Sequence, residues 1–244
     1  MNLFVAQLPM HSTIEGNVAR IVEALHDAPP DALLLTPELA LTGFHRDLPA
    51  LCAPEALRAG TEEVRAAVEA TGVACALGHP ALEHDRVHNR LTLLRPGQPD
   101  LSTDKRGLTP SEARFFTPGE RAPWTFGSLR VGAALCREVL DHDELVADLA
   151  GCDLVLWPGY IQQRPDDDGP DDLHTAAARL ARSLGAWVVQ ANWASACNDP
   201  SLRGMGGSVW LSPDGEVVRR APADTGALLT GDFAARCPRP DGVS

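Results

Sequence analysis

The 244-residue chain is predicted to be an α/β protein. Three observations predict it. Short apolar runs of strand length alternate with longer stretches of helical period, and most runs stop at Gly, Pro or a polar turn. The last third exchanges helices for hairpin signals, so the sheet is expected to be mixed. Two sheets covered outside by helices suit this order, and so does one doubly wound sheet; periodicity does not separate them.

Residues 2–8 read as a first strand. Ser12-x-x-Glu15 is a capping-box pattern opening a helix whose Ile14, Val18, Ile21, Val22 and Leu25 share one face. Leu33–Leu35 is a strand stopped by Thr36-Pro37. A helix after Thr61 turns Val64, Ala67 and Val68 inward and ends at Gly72. Val73–Gly78 and Val87–Leu94 read as strands, the second closed by a Pro96-Gly97 turn. Beyond a polar stretch come the run Val131–Cys136, a helix at 143–150, the strand Leu154–Trp157, a helix at 172–184 and the strand Ala186–Asn192. Gly207–Leu211, the turn Ser212–Gly215, Glu216–Arg219 and Leu228–Phe233 complete the chain. No repeat or interdomain linker is visible, so residues 1–244 are expected to form one domain.

A hydrophobic content of 44% suffices for a sizeable core, and no apolar run approaches the roughly 20 residues that span a bilayer. The first residues lack the basic segment and cleavage site of a signal peptide, so a cytoplasmic location is expected. The formal net charge of −12, with scattered basic residues, argues against nucleic acid or an anionic membrane as partner. Asp166–Asp168, Asp171 and Asp172 read as a solvated loop and helix start without regular metal-ligand spacing. None of the six cysteines forms a C-x-x-C pair or a zinc pattern with histidine, so free thiols and no metal are expected.

Cys136 stands out among those thiols. It closes an apolar run immediately before a polar turn, where α/β proteins place reactive groups at strand ends. A thiol needs a base and something to hold developing charge. Glu38 leaves the Leu33–Leu35 strand behind Pro37, and Lys105 lies in Asp104-Lys105-Arg106-Gly107-Leu108, seven residues before Glu112. Taken singly, each of these charges reads as a solvated loop residue. Their combination with the thiol gives them weight.

At these positions the chain resembles the nitrilase, or carbon–nitrogen hydrolase, superfamily along nearly its whole length. Leu35-Thr36-Pro37-Glu38-Leu39 with Leu41-Thr42-Gly43-Phe44 resembles the family's general-base segment, and Val87-His88-Asn89 its "YN" strand. Asp104–Leu108, then Glu112, Phe116 and Pro118-Gly119, is similar to the segment with the catalytic Lys and an accessory Glu. Val131-Gly132…Leu135-Cys136 resembles the nucleophile strand, and Leu156-Trp157-Pro158, Ala191-Asn192 and Gly207-Ser208…Pro213-Asp214-Gly215 continue in order. The chain departs from the pattern at Arg137, at Leu140–Glu144, and at Ser183-Leu184, where the family commonly has Glu-Asn.

The resemblance implies a four-layer αββα sandwich of two mixed sheets, a homodimer or larger homo-oligomer, and no metal or organic cofactor. It implies an amidase acting on a small-molecule amide, with Cys136 as nucleophile, Glu38 as base, and Lys105 with the Arg137 backbone N–H as oxyanion donors. Glu112 would orient Lys105, and the Lys105 ammonium is expected to favour the thiolate. An ω-amidase is one form of this reading, with Arg137 as a possible carboxylate partner. Its side chain is equally able to pair with Glu138 or Asp141. Trp157, Tyr160 and Trp193 are candidate pocket residues by position. N-carbamyl hydrolysis and nitrile hydrolysis use the same triad; a non-catalytic, assembly-forming relative and a Cys-His hydrolase are the rivals from other classes.

Overall fold

The structure is a computed structural model that describes residues 2–44, 48–162, 172–199 and 201–232. In chain order its strands are β1 (Asn2–Gln7), β2 (Leu33–Leu35), β3 (Ala74–Glu83), β4 (Arg86–Arg95), β5 (Gln98–Asp104), β6 (Trp124–Phe126), β7 (Leu129–Ala133), β8 (Leu154–Gly159), β9 (Trp187–Asn192), β10 (Val209–Leu211), β11 (Val217–Arg220) and β12 (Ala227–Asp232). The helices are α1 (Ile14–Asp27), α2 (Leu48–Leu51), α3 (Pro54–Thr71), α4 (His142–Asp148) and α5 (Leu173–Leu184).

The strands form two six-stranded sheets, ordered β12-β1-β2-β3-β4-β5 and β11-β10-β9-β8-β7-β6. Each sheet is mixed and has a parallel trio, β1-β2-β3 or β7-β8-β9. Antiparallel strands flank both trios. The inner faces meet in one apolar layer: Leu3, Val5, Leu33, Leu35, Leu91 and Leu93 against Val131, Ala133, Leu154, Leu156, Val189 and Trp210. Outside the first sheet, Leu34, Cys75 and Leu77 pack under Ile14, Val18, Ile21 and Leu25 of α1 and Val64 and Val68 of α3. Outside the second, Val155, Val188 and Val209 pack under Leu145 of α4 and Ala177, Leu180 and Ala181 of α5. Because strands alternate faces, successive residues of β2 serve different cores. The result is the four-layer αββα sandwich.

Several local expectations need correction. The side chain that caps α1 is Thr13, which accepts from the Gly16 N–H at 3.1 Å; Ser12 lies one residue further out. Helix α3 begins at Pro54, seven residues before Thr61, after which it was expected to start. A proline in the first helical turn costs nothing, since its missing N–H would have had no partner. Asp172 accepts from the Thr175 N–H and caps α5, while Asp166–Asp168 and Asp171 fall outside the described residues. Strands β5 and β6 were not expected; both lie at sheet edges. The strand expected to run to Cys136 ends at Ala133. No helix among the described residues is long and apolar enough to cross a membrane.

Candidate active site

The parallel trios aim their C-terminal ends at the same edge of the sandwich. Glu38 follows β2, Cys136 follows β7, Tyr160 follows β8 and Trp193 follows β9, with Lys105 directly after β5. This edge gathers polar side chains that the sequence places as far apart as positions 38 and 136.

Glu38 is wholly buried, and so is the chain that carries it. The indole N–H of Trp193 donates to its carbonyl at 2.8 Å, and Leu41 N donates to Gly78 O at 3.1 Å. Gly78 is glycine for a packing reason: a Cβ there would lie 2.4 Å from Pro37 O and 2.8 Å from Leu39 N. Leu39, the next residue, takes a left-handed conformation at φ 53°. A strained residue of that kind persists only where its surroundings over-determine it.

The Lys105 ammonium donates to Glu38 Oε1 at 2.7 Å and to Glu112 Oε1 at 2.5 Å, with 1% of its side chain exposed. Asn89 Nδ2 donates to the same Glu38 Oε1 at 2.9 Å. Glu38 Oε2 is buried and has no hydrogen-bond partner among the described residues. The Glu112 carboxylate is held from its other oxygen by Thr109 N at 2.8 Å. Two buried carboxylates therefore share one cation, and the cluster carries a net charge of about −1.

Cys136 opens a 3-10 turn at 136–140 with φ 52°, a second left-handed residue beside this cluster. Parallel pairing with β8 continues through Ala134 N to Leu156 O and then stops. Leu135 N donates instead to the Glu138 carboxylate at 2.7 Å. The Trp157 indole N–H donates to Cys136 O at 2.8 Å, and the sulfur lies 3.9 Å from Tyr160 O. Cys136 keeps some solvent exposure, whereas Glu38 and Lys105 have almost none.

Electrostatics tie the groups together. Burial raises the Glu38 carboxyl above its ordinary value, with Lys105 pulling the other way. Burial by itself lowers the Lys105 ammonium, but the charges of Glu38, Cys136 and Glu112 outweigh it and hold the group above its ordinary value. The Cys136 thiol is pushed up to about 12, first by burial and then by Glu38, against the pull of Lys105. Lys105 does pull toward the thiolate, as expected, but burial and the Glu38 charge outweigh it and leave the thiol above its ordinary value.

The other candidates take different places. Trp157 and Trp193 have no exposed surface. Neither forms a pocket wall; they brace the backbone at Cys136 and Glu38. Tyr160 is partly exposed and stacks on Phe44, ring centroids 5.1 Å apart. The Arg137 guanidinium donates to both oxygens of Asp141 at 3.1 and 3.2 Å, settling the side-chain choice against Glu138. Asn89 and Glu138 were not singled out as site residues. A polar side chain inside an apolar strand or turn was the available signal. A cavity of about 530 Å³ lined by Asp31, Gly72, Arg95 and Phe126 sits at the opposite ends of the strands, away from this cluster.

Comparison with known proteins gives the family. The carbon-nitrogen hydrolase family model matches residues 4–237. An (R)-stereoselective amidase from Pseudomonas sp. is 29% identical over 214 residues, covering 85% of this chain and 76% of the relative. Among solved structures, a mutant of the amidase from Nesterenkonia sp. AN1, showing Michael addition of acrylamide at its active-site cysteine, superposes with a TM-score of 0.80. That pair is 23% identical over 96% of this chain and 94% of the other. A glutamine-dependent NAD+ synthetase from Acinetobacter baumannii matches at 0.75 and 20% identity, over 94% of this chain and 44% of its own. The chain belongs to the carbon-nitrogen hydrolase family.

Proposed function

We propose that the protein is an amidase that cleaves the C–N bond of a small, non-peptide amide through a Cys136 thioester. The observation that carries this reading is the buried Glu38–Lys105–Glu112 ion cluster in electrostatic contact with the Cys136 thiol. The amidase from Pseudomonas and the acrylamide adduct of the Nesterenkonia amidase support the same chemistry.

Glu38 Oε1 is occupied by Lys105 and Asn89, which leaves Oε2 as the basic atom. Oε2 takes the thiol proton as sulfur bonds to the amide carbon. The carbonyl oxygen becomes an oxyanion, held by the Lys105 ammonium and the Arg137 backbone N–H. Collapse breaks the C–N bond, and the protonated Glu38 gives its proton to the departing nitrogen. The thioester remains. Glu38 next takes a proton from water as the oxygen attacks the thioester carbon; the second oxyanion collapses, the C–S bond breaks, and the proton returns to sulfur. Each oxyanion donor of this kind is worth about 10²–10³ in rate. Glu112 holds Lys105 in place.

Asp141 engages Arg137, which removes that guanidinium as a partner for a substrate carboxylate. We therefore place short neutral amides ahead of ω-amides, with carbamyl compounds and nitriles after them. Ammonia release is to be measured across all four classes, with parent and Cys136→Ala protein in parallel. Release from neutral amides by the parent alone is expected. Equal release by Cys136→Ala, or activity that survives thiol alkylation but is lost to a chelator, overturns the reading.

A further inference from the structure

Glu138 has no exposed surface and plays no part in the chemistry above, yet its carboxylate accepts four hydrogen bonds. Oε2 accepts from Leu135 N at 2.7 Å. Oε1 accepts from Arg106 N at 2.7 Å, Gly107 N at 2.9 Å and Arg121 Nη2 at 2.7 Å. Arg121 is itself buried and continues to Asp148 Oδ2 at 2.6 Å. Three of the four donors are backbone amides, and they come from only two segments. Leu135 immediately precedes the nucleophile, and Arg106 immediately follows Lys105.

A buried charged pair contributes little net stability, because desolvation offsets the attraction. Its value here lies in geometry. Two chain segments that no strand ladder joins are pinned to one carboxylate. Gly107 makes the approach possible: a Cβ there would lie 2.2 Å from Asp141 Oδ2 and 3.2 Å from Glu138 Cγ. The grip on Leu135 also supports the left-handed Cys136, since Glu138 N donates back to Leu135 O at 3.1 Å.

We infer that Glu138 is a positioning residue: its carboxylate sets the spacing between the two oxyanion donors, the Lys105 ammonium and the Arg137 N–H, by holding the backbone beside each. This rests on the amidase reading for its kinetic consequence and on geometry alone for its structural one. Glutamine at 138 has a single acceptor oxygen, so it can hold the Leu135 side or the Arg106–Gly107 side, not both. A donor NH2 would face the N–H groups it abandons.

The test compares Glu138→Gln and Gly107→Ala with the parent; the second variant presses a methyl against Asp141 Oδ2 and Glu138 Cγ beside the same backbone and leaves the carboxylate intact. In both, kcat for the best amide is expected to fall by about 10²-fold or more, since donors misplaced by about 1 Å lose most of their effect. KM and the rate of Cys136 alkylation by iodoacetamide should stay within about threefold, because neither substitution contacts the sulfur or the Glu38 carboxylate and Trp157 still holds Cys136 O. Peptide-resolved hydrogen exchange reads the clamp without any substrate. Faster exchange is expected in at least one of the segments 104–108 and 133–138, the one that glutamine releases. Unchanged exchange in both overturns the inference, as does a kcat loss matched by an equal loss of alkylation rate. A parent that hydrolyses no amide defeats the amidase reading and leaves the exchange result to decide this one. If Glu138→Gln does not fold, Gly107→Ala carries both measurements.

Discussion

Lys105 donates to Glu38 at Oε1, 2.7 Å away, and leaves Oε2 of the same carboxylate buried without a partner. A carboxylate is symmetric in solution. Here the protein has made its two oxygens unlike each other, one fixed by a cation and an amide, the other free to take a proton. The asymmetry leaves one defined oxygen for the base role proposed for Glu38.

This arrangement sets the pH dependence. Burial raises Glu38, so its ionised, basic form is reached only above the ordinary carboxylate range. Activity should fall as pH drops through that raised value, and kcat/KM reports it in the free enzyme. Asn89→Leu removes one donor to the ionised form. The acid limb should then move to higher pH by about one unit, the equivalent of one hydrogen bond of about 1.4 kcal/mol. An acid limb near about 4.3, that of an unperturbed Glu, or one unmoved in Asn89→Leu, contradicts Glu38 as the base.

Cys136 predicts the other side of the profile. With the thiol pushed up to about 12, the protonated form is the expected resting state at neutral pH. Iodoacetamide alkylation of Cys136 should keep rising with pH beyond about pH 10, past the 8.5 or so of an unperturbed thiol. Glu38→Gln removes a negative neighbour, so the thiol should titrate lower while turnover is lost. A plateau near neutral pH in the parent means a preformed thiolate instead.

Removing the shared cation should cost stability as well as rate. Lys105→Ala leaves Glu38 and Glu112 as uncompensated buried charges, a loss of about 3–5 kcal/mol. Urea denaturation measures it. Glu38, already raised by burial, loses the cation that holds its value down and so binds a proton more tightly in the folded state than in the unfolded chain. The variant should therefore recover part of its deficit as pH falls through the raised Glu38 value. A variant as stable as the parent at neutral pH shows that the cluster is solvated in solution.

The sequence made the layers legible because burial writes a pattern. Leu33–Leu35, buried on both faces, is continuous apolar chain, and α1 shows its stripe from Ile14 to Leu25. Strands β5 and β6 were missed because edges escape that constraint; four of the seven residues of Gln98–Asp104 are exposed. Glu38, Lys105, Glu112 and Cys136 were found as an ordered set of motifs rather than by period. The electrostatic state of Cys136 was not legible. It depends on how deeply the thiol is buried and on Glu38 beside it, and position in the chain reports neither. Trp157 and Trp193 were read from strand ends as pocket walls, although burial and an indole N–H bond to backbone decide their place.

Gly78 offers a test of how tightly the base is held. Its Cα faces Pro37 O and Leu39 N so closely that an added methyl lands 2.4 Å from the first and 2.8 Å from the second. Both contacts are backbone, so no side chain can swing aside. Gly78→Ala must move β3 or the Pro37–Leu39 segment, and β3 is fixed by pairing on both sides. The segment with Glu38 should therefore shift. Overpacking of this kind costs about 1–3 kcal/mol, and a base displaced by about 1 Å about 10²-fold in kcat. Gly78→Ala should thus be folded, modestly destabilised and nearly inactive, with the alkaline rise of Cys136 alkylation retained. Full activity in a folded Gly78→Ala protein shows that the Glu38 segment tolerates displacement, and that its left-handed neighbour Leu39 is not needed for turnover.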